Sequence, residues 1–178
     1  KGPVLFFGNE FFDAIPIKQF KRRNNYLFEK NYFLNKNFKI KEIIKKASKQ
    51  NTKIIKSYKT LKKLKFIEFP KLGFKELKKI VNKISKLKGC ILLIDYGYLK
   101  PNNQNTLQSV MKHKKNNILN NLGKADVTAH VNFSLLSEFF LKNNLKIKSL
   151  ISQKDFLEAM GIFDRAKIVA KKMKFSDQ

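Results

Sequence analysis

Asn9, Glu10 and Asp13 stand directly after a short continuous apolar run, Pro3-Val4-Leu5-Phe6-Phe7-Gly8. Such a run has the pattern of a strand buried on both faces. Polar groups at its carboxyl end lie where open α/β sheets bind ligands. Glu10 and Asp13 are one helical turn apart, a spacing that lets both face one cleft. Two carboxylates there suit a cationic ligand, either a sulfonium or a guanidinium whose planar fork pairs with carboxylate oxygens. The plainer alternative is that one of them only caps the following turn.

A second strand end, Asp95-Tyr96-Gly97-Tyr98, follows the apolar run Cys90–Ile94 with one acid and two phenols. It either lines an adenine or substrate pocket or simply fixes a loop beside half-buried tyrosines. The third cluster is Gly123-Lys124-Ala125-Asp126-Val127-Thr128-Ala129-His130-Val131-Asn132-Phe133. Asp126 and His130 there could flank a site on the substrate side or only make structural hydrogen bonds, and His113 carries the same ambiguity. Two such ligands do not make a metal centre, which needs three or four, so no metal is expected.

Other chemistries are excluded by what is missing. The glycines stand at 2, 8, 73, 89, 97, 123 and 161, no two of them separated by a single residue. That leaves no Gly-x-Gly cofactor loop and no Walker motif, and the single cysteine leaves no Cys-x-x-Cys. Cys90 reads as a buried small hydrophobe rather than a nucleophile. Ser134, Ser137 and Ser152 lack nucleophile-elbow glycines.

The elements that must position these groups follow from periodicity. Residues 17–40 alternate around Asn24-Asn25, the signature of an antiparallel hairpin or small meander. Lys39–Lys65 carries eleven lysines and one acid, Glu42, and is expected to be a solvated, mobile excursion. Phe66–Pro70 restores order. Leu72, Leu77, Ile80, Val81, Ile84 and Leu87 then space as an amphipathic helix ending near Gly89. Cys90–Ile94 is the clearest buried strand. Thr106–His113 reads as a strand, residues 116–125 as irregular, residues 132–141 as a helix, Leu145–Ile151 as a strand, and residues 156–173 as one or two helices. Strand, polar turn, helix, strand, polar turn is the rhythm of a parallel α/β sheet with antiparallel additions.

With 178 residues the chain suits one domain with a core. Its longest apolar run is far short of the roughly 20 residues of a spanning helix. One cysteine excludes a disulfide framework. The formal charge of +26 invites a nucleic-acid partner, yet 36 of the 39 basic residues are lysine. Readers of nucleic acid lean on arginine, and lysine is spread through every kind of segment here. The charge is therefore read as compositional, and nucleic acid is not the expected partner.

The blocks quoted above resemble one family. Asn9-Glu10-Phe11-Phe12-Asp13-Ala14-Ile15-Pro16 is similar to the signature of the MidA-like S-adenosylmethionine-dependent methyltransferases. Leu93–Tyr98, Thr106-Leu107-Gln108 through His113, and Gly123–Phe133 resemble further family blocks in the family's order. Gln153, Phe156-Leu157, Gly161-Ile162 and Arg165-Ala166 resemble its closing motif. Departures are Gly8 for the usual Ala, Asn132 for Asp, and Ser152 for Thr. Asn132 puts in doubt any role that needs a charge there.

The resemblance implies an α/β, class I (Rossmann-like) methyltransferase fold, with Val4–Gly8 as its fourth core strand. It implies that residues 1–178 form the carboxyl-terminal portion of one methyltransferase domain, incomplete at its N-terminus. An inserted hairpin and Lys-rich excursion would occupy about residues 17–65, and the main loop for S-adenosyl-L-methionine would lie upstream. Mitochondrial members are protein arginine methyltransferases that assist respiratory complex I assembly. The implied partner is thus a protein with a target arginine, such as a complex I subunit. The location would be the mitochondrial matrix in a eukaryote or the cytoplasm in a bacterium. Glu10 is the first expectation for holding the guanidinium and Asp13 the second; Asp126 and His130 follow on the substrate side. Asn9 and Glu10 are the implied cofactor contacts. Asp95, Tyr96, His113, Thr128 and Phe133 are the implied substrate contacts. The competing readings are an RNA-binding or nucleic-acid methyltransferase module and a non-enzymatic assembly factor.

Overall fold

The computed structural model describes residues 2–173. A division after Lys146 separates two compact units. The first is mixed α/β. Its strand β1 (Leu5–Asn9) pairs in parallel with β6 (Cys90–Ile94), Asn9 lying opposite Ile94. This puts the polar residues after both strands at the same end. The hairpin expected around Asn24-Asn25 is present as β2 (Lys18–Arg23) and β3 (Tyr26–Leu34), with both asparagines in the left-handed region that suits a tight turn. β4 (Ile40–Lys46) and β5 (Phe66–Phe69) complete an antiparallel sheet of order β4-β3-β2-β5.

Helix α2 (Lys71–Leu87) runs where periodicity placed it, burying Phe74, Leu77, Val81 and Ile84. Gly73 is needed there because a Cβ would come within 2.6 Å of Ile15 Cγ2. Four short strands follow: β7 (Gly97–Tyr98), β8 (Gln108–Met111), β9 (Lys114–Asn116) and β10 (Asp126–Thr128). After them β11 (Val131–Asn132) leads into helix α3 (Phe133–Lys142). Asn132 caps α3, its side-chain oxygen accepting from Leu135 N–H at 3.0 Å. The second unit contains α4 (Gln153–Ala159), capped by Ser152, and α5 (Ile162–Ala170), entered through Gly161 at φ 79°.

Three expectations are corrected. Lys39–Lys65 is ordered and docked: β4 is followed by helix α1 (Lys49–Ser57) and a 3-10 turn at Lys59–Leu61. Ile55, Tyr58, Leu61 and Leu64 recur at threefold spacing and join the core, with the lysines left outside. Polar bonds stitch the segment down. Arg22 Nη2 donates to Leu61 O at 3.1 Å and Nε to Leu64 O at 3.0 Å, while Glu138 accepts from the Lys59 and Thr60 amides.

The second correction concerns Leu145–Ile151, which forms no strand, since no neighbouring ladder takes up its backbone groups among the described residues. The third is burial. Cys90 is exposed, and Leu5 and Phe7 are 62% and 57% exposed. Along β1 and β6 only Gly8 is buried, so neither strand is buried on both faces.

The core is centred on Phe20, Leu27, Ile55, Leu61, Ile67, Leu77, Val81 and Leu135. An aromatic chain Tyr58–Phe69–Phe74–Phe139 crosses it, the last pair with centroids 4.4 Å apart. Among the described residues no helix is long and apolar enough to cross a membrane.

Candidate active site at the β1 and β6 ends

The three clusters singled out from sequence converge on Asp13. Its amide donates to Asp95 Oδ2 at 3.3 Å, beside Phe12 N–H at 2.8 Å on the same oxygen. Its carbonyl accepts from Ala129 N–H at 2.8 Å. Its carboxylate Oδ2 accepts from the Tyr96 hydroxyl. The segment after β1, the segment after β6 and the segment before α3 are thereby clamped around one residue. The second carboxylate oxygen, Asp13 Oδ1, is buried with no hydrogen-bond partner. That is a costly state unless a donor reaches it.

Asp95 anchors the clamp. Besides Phe12 and Asp13 it accepts from Tyr96 N–H, through Oδ1 at 2.9 Å. Burial lifts its carboxyl above the usual carboxylate range, aided by the nearby Asp13 charge and opposed by these backbone donors. The Tyr96 phenol is raised first by its bond to Asp13 and then by burial; Thr128 hydrogen-bonds it in the opposite sense. Gln108 Nε2 donates in turn to Thr128 Oγ1 at 3.2 Å. The His130 ring meets Tyr96 edge-on at 5.8 Å, and its backbone N–H donates to Thr106 Oγ1 at 3.0 Å.

Glu10 is placed differently. Its amide donates to Ile94 O at 2.8 Å, extending the β1–β6 ladder, and its φ is 46°. Left-handed backbone at a glutamate is uncommon and marks a site for scrutiny. The side chain is exposed, whereas Asp13 is 5% exposed, so the two carboxylates do not open onto the same solvent. Asn9 is exposed beside Glu10. Asp126 is exposed at the start of β10 and pairs across to Val110 of β8. His113 occupies the β8–β9 turn with φ 61°. Phe133 is half-buried at the start of α3 and packs on the core. The structure thus gathers Asp13, Asp95, Tyr96, Thr128 and His130, with Glu10 at the rim, and leaves Asp126, His113 and Phe133 outside the clamp.

Sequence reasoning missed the support behind it. Glu68 is 8% exposed; it accepts from Thr106 Oγ1 at 2.5 Å, Gln19 Nε2 at 2.9 Å and Thr106 N–H at 3.1 Å. The signal was an acid in the middle of the apolar run Phe66-Ile67-Glu68-Phe69. Near it, burial pushes the Tyr98 phenol up to about 12, with Glu68 adding to the effect. Burial and Glu138 do the same for Tyr58, also to about 12.

Both phenols have folded values above the ordinary 10.0. The stability held by their neutral forms is therefore complete below that value and lost as pH rises towards about 12. In a phenolate absorbance titration, Tyr58 and Tyr98 are expected to ionise late, towards about 12. Tyr58→Phe and Tyr98→Phe should each remove one late equivalent; an unchanged curve would contradict the burial argument. Among the described residues no group of three or more His, Cys, Asp or Glu side chains is disposed to hold a metal.

A family model for S-adenosyl-L-methionine-dependent methyltransferases matches residues 1–151. The chain is 32% identical over 167 residues to the mitochondrial protein arginine methyltransferase NDUFAF7 homolog of Caenorhabditis elegans, covering 92% of this chain and 39% of that protein. It is 26% identical over 173 residues to mitochondrial protein arginine methyltransferase NDUFAF7 of Danio rerio, covering 95% and 40%. The chain therefore spans about two fifths of the length of these curated relatives. A Burkholderia thailandensis protein crystallised with S-adenosyl-homocysteine superposes with a TM-score of 0.75 at 19% identity, over 99% of this chain and 46% of that one. A native crystal structure from the same organism gives 0.76 at 18% identity, over 99% and 48%. These likenesses establish the fold.

Proposed function

The chain belongs to the family of S-adenosyl-L-methionine-dependent methyltransferases, and on that premise we propose that it carries the substrate side of a protein arginine methyltransferase site. The relatives bear that activity in their names. The supporting observation here is the division of labour between the two carboxylates after β1. Glu10 presents an exposed carboxylate on a constrained backbone, while Asp13 is locked inside the clamp that fixes the segment.

An arginine side chain stays protonated in solution. A carboxylate that holds the guanidinium and aims one nitrogen therefore supplies the positioning on which an in-line displacement depends. Glu10 takes that role. Asp13, Asp95 and Tyr96 position it, and His130 and Thr128 border the same clamp. Asn9 and Glu10 are the exposed polar residues of this chain that fit S-adenosyl-L-methionine at the end of β1, and the cofactor's sulfonium supplies the methyl group when bound. The main cofactor loop belongs to sequence outside this chain. The partner is a protein carrying the target arginine, with a complex I subunit in the mitochondrial matrix as the specific case.

Replacing Glu10 with Gln in a full-length protein carrying this chain is expected to cut methyl transfer by about 10²-fold or more, with unfolding unchanged. The check is incorporation of labelled methyl groups into an arginine-containing protein substrate. Undiminished transfer would remove Glu10 from the site. No transfer by the unsubstituted protein would favour an assembly factor that lacks catalysis.

A further inference from the structure

The β3–β4 hairpin runs out of the core. Buried and half-buried residues occupy β3 from Leu27 to Asn31, after which Tyr32, Phe33 and Leu34 are all exposed. At the tip Phe38 is 84% exposed. This tip is a built turn. The Asn35 side chain accepts from Asn37 N–H at 3.1 Å and Lys39 N–H at 2.8 Å. Asn35 N–H donates to Lys39 O at 2.9 Å, and Phe38 N–H to Asn35 O at 3.0 Å.

Phe38 has φ 54°, a conformation that Asn or Gly adopts with little strain and a bulky aromatic residue rarely does. A strained backbone that holds a phenylalanine out in solvent gains nothing from packing, which points to use. The ring of charge around it is one-signed. Lys36, Lys39 and Lys41 are exposed, and the one acid of the hairpin arms beyond Asn31, Glu42, is neutralised by Lys30 at 2.8 Å. The Lys30 ammonium also lies 5.2 Å from the Tyr32 ring centroid.

The geometry points to this hairpin tip as a docking element for an anionic lipid bilayer, Leu34 and Phe38 entering the interface while Lys36, Lys39 and Lys41 meet lipid headgroups. From the half-buried pair Asn31–Ile43 the tip extends about 10 Å. That matches the depth to which interfacial elements sink their apolar face. A convex, aromatic tip with a collar of ammoniums suits a soft surface that it can enter. Charge complementarity to anionic headgroups supplies the second signal that stable binding requires. Tyr32, exposed one step behind the tip, sits where an amphipathic ring favours the headgroup level.

The test is flotation of the chain with vesicles of phosphatidylcholine alone and of phosphatidylcholine with about 30% phosphatidylserine. The chain is expected to float with the anionic vesicles and not with the neutral ones. The double variant L34S/F38S should weaken binding at least about ten-fold with unfolding unchanged, and K36E/K39E/K41E should abolish it. The variant K78E/K83E/K86E changes the same charge on the exposed face of α2 and should leave most binding intact. Three results would overturn the proposal: no binding to anionic vesicles, full binding by L34S/F38S, or an equal loss in the α2 variant. The last would assign the binding to net charge alone, and the first would leave the tip to a protein or nucleic-acid partner.

Discussion

Replacing Gly97 with alanine is expected to break the parallel β7–β11 pair and cost on the order of 3 kcal/mol or more of stability. A Cβ at position 97 would lie 2.0 Å from Val131 O and 2.8 Å from Val131 C, both of them backbone. No side chain can rotate to make room. The strands must part by more than an ångström, and Val131 N–H then loses Tyr96 O, now at 3.1 Å. The consequences spread in two directions. Asn132, paired with Tyr98 in that ladder, caps α3, whose Leu135, Leu136 and Phe139 are core residues. Tyr96, the residue before Gly97, holds the Asp13 carboxylate. Denaturant unfolding of Gly97→Ala beside Gly2→Ala separates the effects, since a Cβ at Gly2 meets nothing within 4 Å. Equal stability of the two variants would refute the close-approach argument.

Elements with one dominant periodicity were legible in the sequence. Helix α2 presents its apolar residues at 3.6-residue spacing, and β6 is five apolar residues bounded by glycine and acid. The Lys39–Lys65 segment was illegible because its core residues fall across three kinds of local structure. Ile55 sits in α1, Leu61 in a 3-10 turn and Leu64 in the connection to β5, so their threefold spacing belongs to no one regular element and is hidden among the lysines. Burial of β1 and β6 was overestimated for a related reason. An apolar run announces a preference, and what covers it is set by neighbours that the run does not name.

The candidate site divides along the same line. Strand-end position marked Glu10, Asp13 and Asp95 as polar groups after apolar runs. Their separate roles come from partners more than eighty positions away, such as Tyr96 on Asp13 and Asp95 on Phe12. Side-chain pairings at that distance leave no trace in local spacing. The family blocks, read together, identified the family, which periodicity alone does not name.

Replacing Asp95 with alanine is the other change expected to act on fold and function together. The substitution strips the acceptor from the amides of Phe12, Asp13 and Tyr96 at once. Each buried donor left unsatisfied costs about 1–3 kcal/mol, so a total loss of roughly 3 kcal/mol is expected after partial exposure to water is allowed for. The residues released are those after β1, so Glu10 loses its fixed backbone even though Asp95 is not placed at the guanidinium. In a full-length protein, transfer should fall while substrate affinity weakens.

Asp95→Asn separates charge from geometry, because it keeps one oxygen for Phe12 and Asp13 but turns an amide donor towards Tyr96 N–H. The pH dependence has a definite sign. The folded carboxyl titrates above its ordinary 3.8, chiefly through burial. The folded state therefore holds a proton that the unfolded state releases, and this contribution to stability is full at lower pH and lost as pH rises through the folded value. The stability difference between the unsubstituted protein and Asp95→Asn should then shrink as pH rises across that window and level off above it. A difference that instead grows with pH would mean that the backbone donors outweigh burial at Asp95, and that the clamp is held by a carboxylate stabilised in its charged form.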